Sequence, residues 1–134
     1  MLETKVRANS NLKAIGYILP TVLQLRETQA RLRCAIAAVA AERYRLKHEK
    51  TWPGGLEDLV KDGLLKEVPK DPYDGKPLRF KRTPTGVIIY SVGPDMIDNG
   101  GKLGRATPRA PGTDIGFELW NHRGLAASFD EERP

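Results

Sequence analysis

Between Thr21 and His48 the apolar residues fall at helical spacing, and neither proline nor glycine interrupts the segment. Leu25, Leu32, Ile36, Val39 and Leu46 recur at intervals of three, four or seven, which places them on one stripe of an amphipathic helix. Ala30, Ala37, Ala38 and Ala41 raise helical propensity between them. Such a helix is roughly 40 Å long at 1.5 Å per residue, long for a small domain. Part of it must project, pair with another helix, or break near its N-terminal end. Trp52-Pro53-Gly54-Gly55 then stops it and forms a loop.

The remaining pattern predicts an α+β fold: a long helix packed on a small antiparallel sheet of about three strands, with a short second helix and a long glycine-rich loop. Leu56, Leu59, Val60 and Leu64 give the second helix, ended near Gly63. Asp71-Pro72-Tyr73-Asp74-Gly75-Lys76-Pro77 is a dense turn segment. Leu78 to Lys81 and Val87 to Val92 read as strands joined by a hairpin loop at Thr83-Pro84-Thr85-Gly86. Asp114 to Trp120 alternates as a third strand, with Ile115, Phe117 and Leu119 on one face. The expected core sets Leu32, Ile36, Val39 and Leu46 of the helix against Ile89, Phe117 and Leu119 of the sheet. Residues 1–20 show no firm period and are set apart from a domain spanning 21–120, with 121–134 as a tail.

Length and composition suit one domain with one core: 134 residues, 40% apolar and 29% charged. No stretch approaches the roughly 18 uncharged apolar residues of a spanning helix. No secretory signal pattern is visible at the N-terminus. The expectation is therefore either a soluble intracellular protein or one whose anchor, in a cell envelope or periplasm, lies outside this sequence; an expressed fragment would also start so abruptly. Cys34 is the only cysteine, which excludes an internal disulfide and a thiolate metal cluster. The net charge of +5 raises the question of nucleic acid, but basic and acidic residues interleave along the helix as on a solvated face.

The loop from Gly93 to Thr113 contains the residues most suggestive of chemistry. A loop of about twenty residues in a compact domain needs something to hold it. Asp95, Asp98 and Asn99 cluster at its start, Asp114 closes it, and glycines at 100, 101, 104 and 112 let backbone carbonyls turn inward. Hard oxygen donors suit calcium; zinc is poorly served by histidines and a cysteine that are remote in sequence. The spacing is not that of an EF-hand. By the residues alone, a solvated loop whose Asp and Asn side chains only make turns remains open.

An enzyme is not expected. His48 and His122 read as surface residues, Ser91 and Ser128 lack a nucleophile elbow, and Gly100-Gly101-Lys102-Leu103 lacks the rest of a phosphate-binding loop. An alternative without metal is a basic binding module for nucleic acid or protein, using Arg79, Lys81 and Arg82 with Phe80 and Tyr90. The alternation of that strand places Phe80 opposite Arg79 and Lys81, which argues for core instead.

From Trp52 onward the order of signals resembles the head domain of the type II secretion major pseudopilins, the general secretion pathway protein G-like proteins. The resemblance is carried by Trp52-Pro53, the short helix Leu56 to Leu65, Asp71-Pro72-Tyr73 with Gly75 and Pro77, and the strand Leu78 to Phe80. It continues through Tyr90-Ser91-Val92-Gly93-Pro94-Asp95, Asp98-Asn99-Gly100-Gly101, and Asp114-Ile115 to Trp120. It covers about half the chain, and the ordered set is more specific than any single piece. The resemblance implies a non-enzymatic bacterial protein of transport assemblies, with one calcium ion held in the loop. Carried over by position, the side-chain ligands would be Asp95, Asp98 and Asp114, with the Val92 carbonyl and Asn99 as further candidates. It also implies protein partners or self-association through the long helix, with no membrane segment in this chain and no nucleic acid favoured. The prepilin leader, its cleavage glycine and the apolar Phe-Thr-Leu start are not present. Reuse of the head at the end of a larger protein is the corresponding alternative.

Overall fold

The computed structural model describes residues 2–104 and 111–121, with side chains from residue 13 onward. Helix α1 spans Leu2–Lys47, 46 residues, or about 69 Å at the standard rise. It therefore includes residues 2–20, which the sequence pattern set apart. The reason is exposure. Residues 13–26 all face solvent, so no buried face imposes a period that could be read. Pro20 lies inside the helix without ending it. It forgoes the amide bond to Gly16 and costs about 3 kcal/mol in a helix interior.

The helix ends before Trp52-Pro53. Glu49 and Lys50 adopt left-handed backbone, with φ of 54° and 64°. This turn directs the Lys50 amide to the Arg45 carbonyl at 2.8 Å. It is a helix-terminating bond of the kind usually made with glycine. Trp52 then folds under the helix end. Its indole N–H donates to Asn121 Oδ1 at 3.0 Å, and the Arg45 guanidinium lies 5.2 Å from its ring.

Helix α2 spans Leu56–Lys61 and buries Leu56 and Leu59. Strands β1 (Arg79–Arg82), β2 (Gly86–Ser91) and β3 (Ile115–Trp120) form an antiparallel sheet in the order β1-β2-β3. Register pairs Phe80 with Ile89 and Ile89 with Phe117. The α+β class and the element order are as the sequence predicted.

The face of α1 that meets the sheet is not the predicted one. Ala30, Cys34, Ala37, Ala40 and Ala41 are buried, while Leu25, Leu32, Ile36, Val39 and Leu46 are exposed, Val39 by 62%. Phe117, expected in the core, is 38% exposed; Leu119 packs against the core and Ile89 lies within it. Small side chains let the helix axis approach the sheet closely, and the bulk of the core comes from the other elements. Trp52, Leu56, Leu59, Leu78, Val87 and Ile89 supply it. Hydrophobic size in the helix marked a stripe, but packing chose the alanines. The tail beyond residue 121, with His122 and Ser128, lies outside the described residues.

Candidate functional site

The 93–114 loop leaves β2 at Gly93 and re-enters the sheet at β3. Its closing end is fastened to its middle: the Asp114 amide donates to the Lys102 carbonyl at 2.7 Å, and Leu103 and Asp114 form a parallel bridge. Asp114 is 1% exposed. Its carboxylate accepts the Asn99 amide at 3.1 and 3.2 Å and the Gly101 amide at 2.8 Å. Gly101 has a φ of 80°, and a Cβ there would press on Tyr90 at 3.2 Å and Ile88 at 3.3 Å. Only glycine lets this backbone pass over Tyr90 while pointing its N–H at Asp114.

Burial raises the Asp114 pKa above the ordinary aspartate value, and the nearby Asp98 charge adds to the rise. Among the described residues no cation pairs with Asp114. A buried carboxylate served only by amides is costly to ionise.

Asp95 and Asp98 hold other parts of the same loop. Asp95 Oδ1 accepts the Ile97 amide at 3.1 Å, and its Oδ2 accepts the Gly112 amide at 2.9 Å and the Asn99 side-chain amide at 3.4 Å. The Gly112 and Ile97 amides lower its pKa. Asp98 Oδ1 accepts the Tyr90 hydroxyl and the Gly100 amide, both at 2.9 Å. The Tyr90 hydroxyl is pushed up to about 12, chiefly by burial and then by this bond to Asp98. Asn99 thus connects the two ends of the loop, with its backbone on Asp114 and its side chain on Asp95.

The structure brings Asp95, Asn99 and Asp114 into one bonded set and places Asp98 alongside. Their chemistry fits a hard cation: carboxylates and amide oxygens in a backbone with free turns. Each carboxylate oxygen described above is engaged by an N–H or O–H donor. Among the described residues no group of three or more His, Cys, Asp or Glu side chains is placed to hold a metal ion. Val92 is buried at the loop entrance, and its amide donates to Asp71 Oδ2 at 2.9 Å.

Asp71 is the polar hub that the pattern of the turn segment did not reveal. It is fully buried and accepts four donors: Tyr73 N at 2.9 Å, Ser91 Oγ at 2.8 Å, Val92 N and Arg79 Nη1, the last at 2.9 Å. Arg79 also binds Asp74 and lies 4.0 Å from Asp98. One cation therefore ties the 71–75 turn to the 93–114 loop. The signal that could have found it is the pairing of Asp71-Pro72 with Tyr90-Ser91, two turn-and-strand fragments whose polar groups have no reason to be apolar-spaced.

The basic residues of the alternative binding surface are engaged internally. Arg79 serves Asp71 and Asp74, Arg82 donates to the Trp52 carbonyl at 2.9 Å, and Lys81 donates to the Gly100 carbonyl at 3.0 Å. His48 stacks on Tyr44 with centroids 4.0 Å apart and lies 3.2 Å from Asp62. Among the described residues no helix is long and apolar enough to cross a membrane. No protein-family model, curated protein or solved structure matches the chain.

Proposed function

We propose that this chain is a non-enzymatic structural and assembly protein: a head resembling those of type II secretion pseudopilins, carried on a projecting helix that contacts other proteins, with calcium bound in the 93–114 loop. The observation that carries the calcium reading is Asp114, a carboxylate 1% exposed with no cation partner among the described residues. A bound calcium ion would supply the missing positive charge. Asp114, Asp95 and Asp98 would hold it, with Asn99 and the Val92 carbonyl as further oxygen donors. The residues themselves already close the loop, so the ion's role would be to deepen a closure that Asn99 and Gly101 begin. The projecting half of α1 and its exposed stripe support the assembly role.

The test is thermal unfolding in millimolar calcium and in excess EDTA, for wild type and Asp114→Asn. Calcium at one hundred times its dissociation constant would add about 2.7 kcal/mol. For a domain of this size that is a rise in melting temperature of about 8 °C. The variant should lose the rise. Equal melting temperatures in calcium and EDTA would refute the metal and leave a loop held by carboxylate–amide bonds alone. That second reading is favoured by one observation, the engagement of the loop carboxylates by N–H and O–H donors.

A further inference from the structure

Asn99 is followed by Gly100, and the peptide between them is held from several sides. The Asn99 amide donates to Asp114 at 3.1 and 3.2 Å, and the Gly100 amide donates to Asp98 Oδ1 at 2.9 Å. The Asn99 side-chain nitrogen donates back to the Ile97 carbonyl at 3.1 Å and to Asp95 Oδ2 at 3.4 Å. Gly100 is exposed, with a φ of 70°. A Cβ there would meet nothing nearer than Lys81 Nζ at 3.7 Å. The positive φ, rather than lack of space, is what asks for glycine. The choice has a chemical side effect: it leaves an unhindered backbone nitrogen one ring closure away from the Asn99 carboxamide.

We propose that Asn99-Gly100 is a site of spontaneous covalent modification, at which the chain converts its own asparagine to aspartate and isoaspartate and so loosens the loop. The Gly100 nitrogen attacks Asn99 Cγ. The new bond closes a five-membered succinimide ring, and the Cγ–Nδ2 bond breaks. The Gly100 nitrogen gives up its proton, and Nδ2 leaves as ammonia with one proton gained. Water then opens the ring. Addition at Cγ gives aspartate; addition at the backbone carbonyl carbon gives isoaspartate, whose main chain runs through Cγ. Water is the only co-reactant, and nothing is oxidised or reduced.

Three features favour the reaction in the folded chain. First, the proton that must leave the Gly100 nitrogen already rests on a carboxylate oxygen, Asp98 Oδ1, within the reach needed to receive it. Second, Lys81 Nζ lies 3.0 Å from the Gly100 carbonyl, and its charge offsets the negative charge that gathers during attack. Third, solvent reaches the ring: Gly100 is exposed and the Asp98 side chain is 47% exposed.

The product alters what residue 99 can hold. Aspartate has no N–H to offer Ile97 or Asp95, so both side-chain bonds are lost, and a carboxylate comes to face Asp95 Oδ2. Like charges at that separation repel. Isoaspartate goes further. It adds a methylene to the main chain between the amide held by Asp114 and the amide held by Asp98. The residue that ties the loop together is thus the one that converts, and the clasp has a limited life.

The inference goes beyond the assembly reading and does not rest on calcium. The test incubates the full chain in mildly alkaline buffer with EDTA, folded and in urea, and digests both with trypsin. The peptide Thr83–Lys102 holds Asn99 as its one asparagine; Asn121, followed by His122, is the control. The 83–102 peptide should gain the mass of an amide-to-acid exchange and split into two chromatographic forms. It should do so at least ~10-fold faster than the Asn121 peptide, where the following Cβ hinders ring closure. Folded and unfolded chains should convert within ~10-fold of each other, because the carboxylate on the Gly100 N–H compensates for the held backbone. A folded-state rate further below the unfolded one would show that the loop shields Asn99, and would overturn the inference. The aged protein, and Asn99→Asp made directly, should both melt below wild type. Equal melting temperatures would overturn the loosening. Every arm is run in EDTA, so failure here and failure of the calcium test are distinguishable.

Discussion

Cys34 Sγ meets the Ile115 carbonyl at 3.7 Å across the seam between α1 and β3. The contact brings helix backbone and sheet edge together with only a thiol between them. Burial, then the Asp71 charge, pushes the thiol pKa up to about 12. Cys34 should therefore resist thiol reagents at neutral pH in the folded protein and react at once in denaturant. Reaction at the folded-state rate of a free thiol would show that the seam opens readily.

The same closeness makes the two sides of the helix respond oppositely to size. Ala37 is fully buried and Ile36 beside it is 49% exposed. Ala37→Leu should destabilise the head by ~1–3 kcal/mol through overpacking. Ile36→Ala should change head stability by less than about 0.5 kcal/mol when measured on monomer. Chemical denaturation monitored at Trp52 reads both.

Asp71→Ala should be among the most damaging single substitutions, at ~3–5 kcal/mol, because it leaves three donors without their acceptor and Arg79 with Asp74 alone. A double-mutant cycle with Arg79→Met isolates the ion pair. A coupling energy near zero would show that the backbone donors, rather than Arg79, hold this carboxylate.

The carboxylates of the loop should give opposite pH signatures. The folded pKa of Asp114 is raised, so the native state holds its proton longer than the unfolded chain. Its contribution to stability is fullest below the ordinary aspartate value and is lost as pH rises through the raised pKa. Asp95 is lowered, so its contribution is present above the ordinary value and is lost as pH falls through the lowered one. In EDTA, the stability of wild type relative to Asp114→Asn should fall with rising pH across the Asp114 window. Relative to Asp95→Asn it should rise with pH across the Asp95 window. If calcium binds, its effect on the melting temperature should grow with pH through the Asp114 titration, since ligation needs the ionised form. Urea midpoints between acid and neutral pH, with and without the ion, test all three.

The chain terminates α1 with two non-glycine residues in left-handed backbone, Glu49 and Lys50. Replacing Lys50 by glycine should relieve strain of about 1 kcal/mol, partly offset by the greater freedom of glycine in the unfolded chain. A small gain in melting temperature is expected; a loss would mean that the Lys50 side chain contributes contacts worth more than the strain.

Strand order and turn positions were legible because they rest on local chemistry: β-branched runs at 87–92, Asp-Gly at 74–75, and the glycines of the loop. The loop residues were legible as a group for the same reason. The covered face of α1 was not. A long helix with alanines on one side and leucines on the other offers two candidate faces, and hydrophobic content favours the wrong one. The choice depends on how closely β3 can approach, which no window of sequence contains. Asp71 was hidden for a related reason: its four donors come from residues 73, 79, 91 and 92, and only the tertiary fold gathers them.

A rod exposed over residues 13–25 and seated from Ala30 to Arg45 is also a lever. Tension applied at its far N-terminal end travels along the axis and reaches the head as shear parallel to the helix–sheet contact. Ala30, Cys34, Ala37 and Ala41 would then resist together, as a row of rivets does. Tension applied from the Lys47 side would instead peel them one after another, beginning at Arg45 and Trp52. The direction of pull, more than the number of contacts, would decide how much force this head withstands.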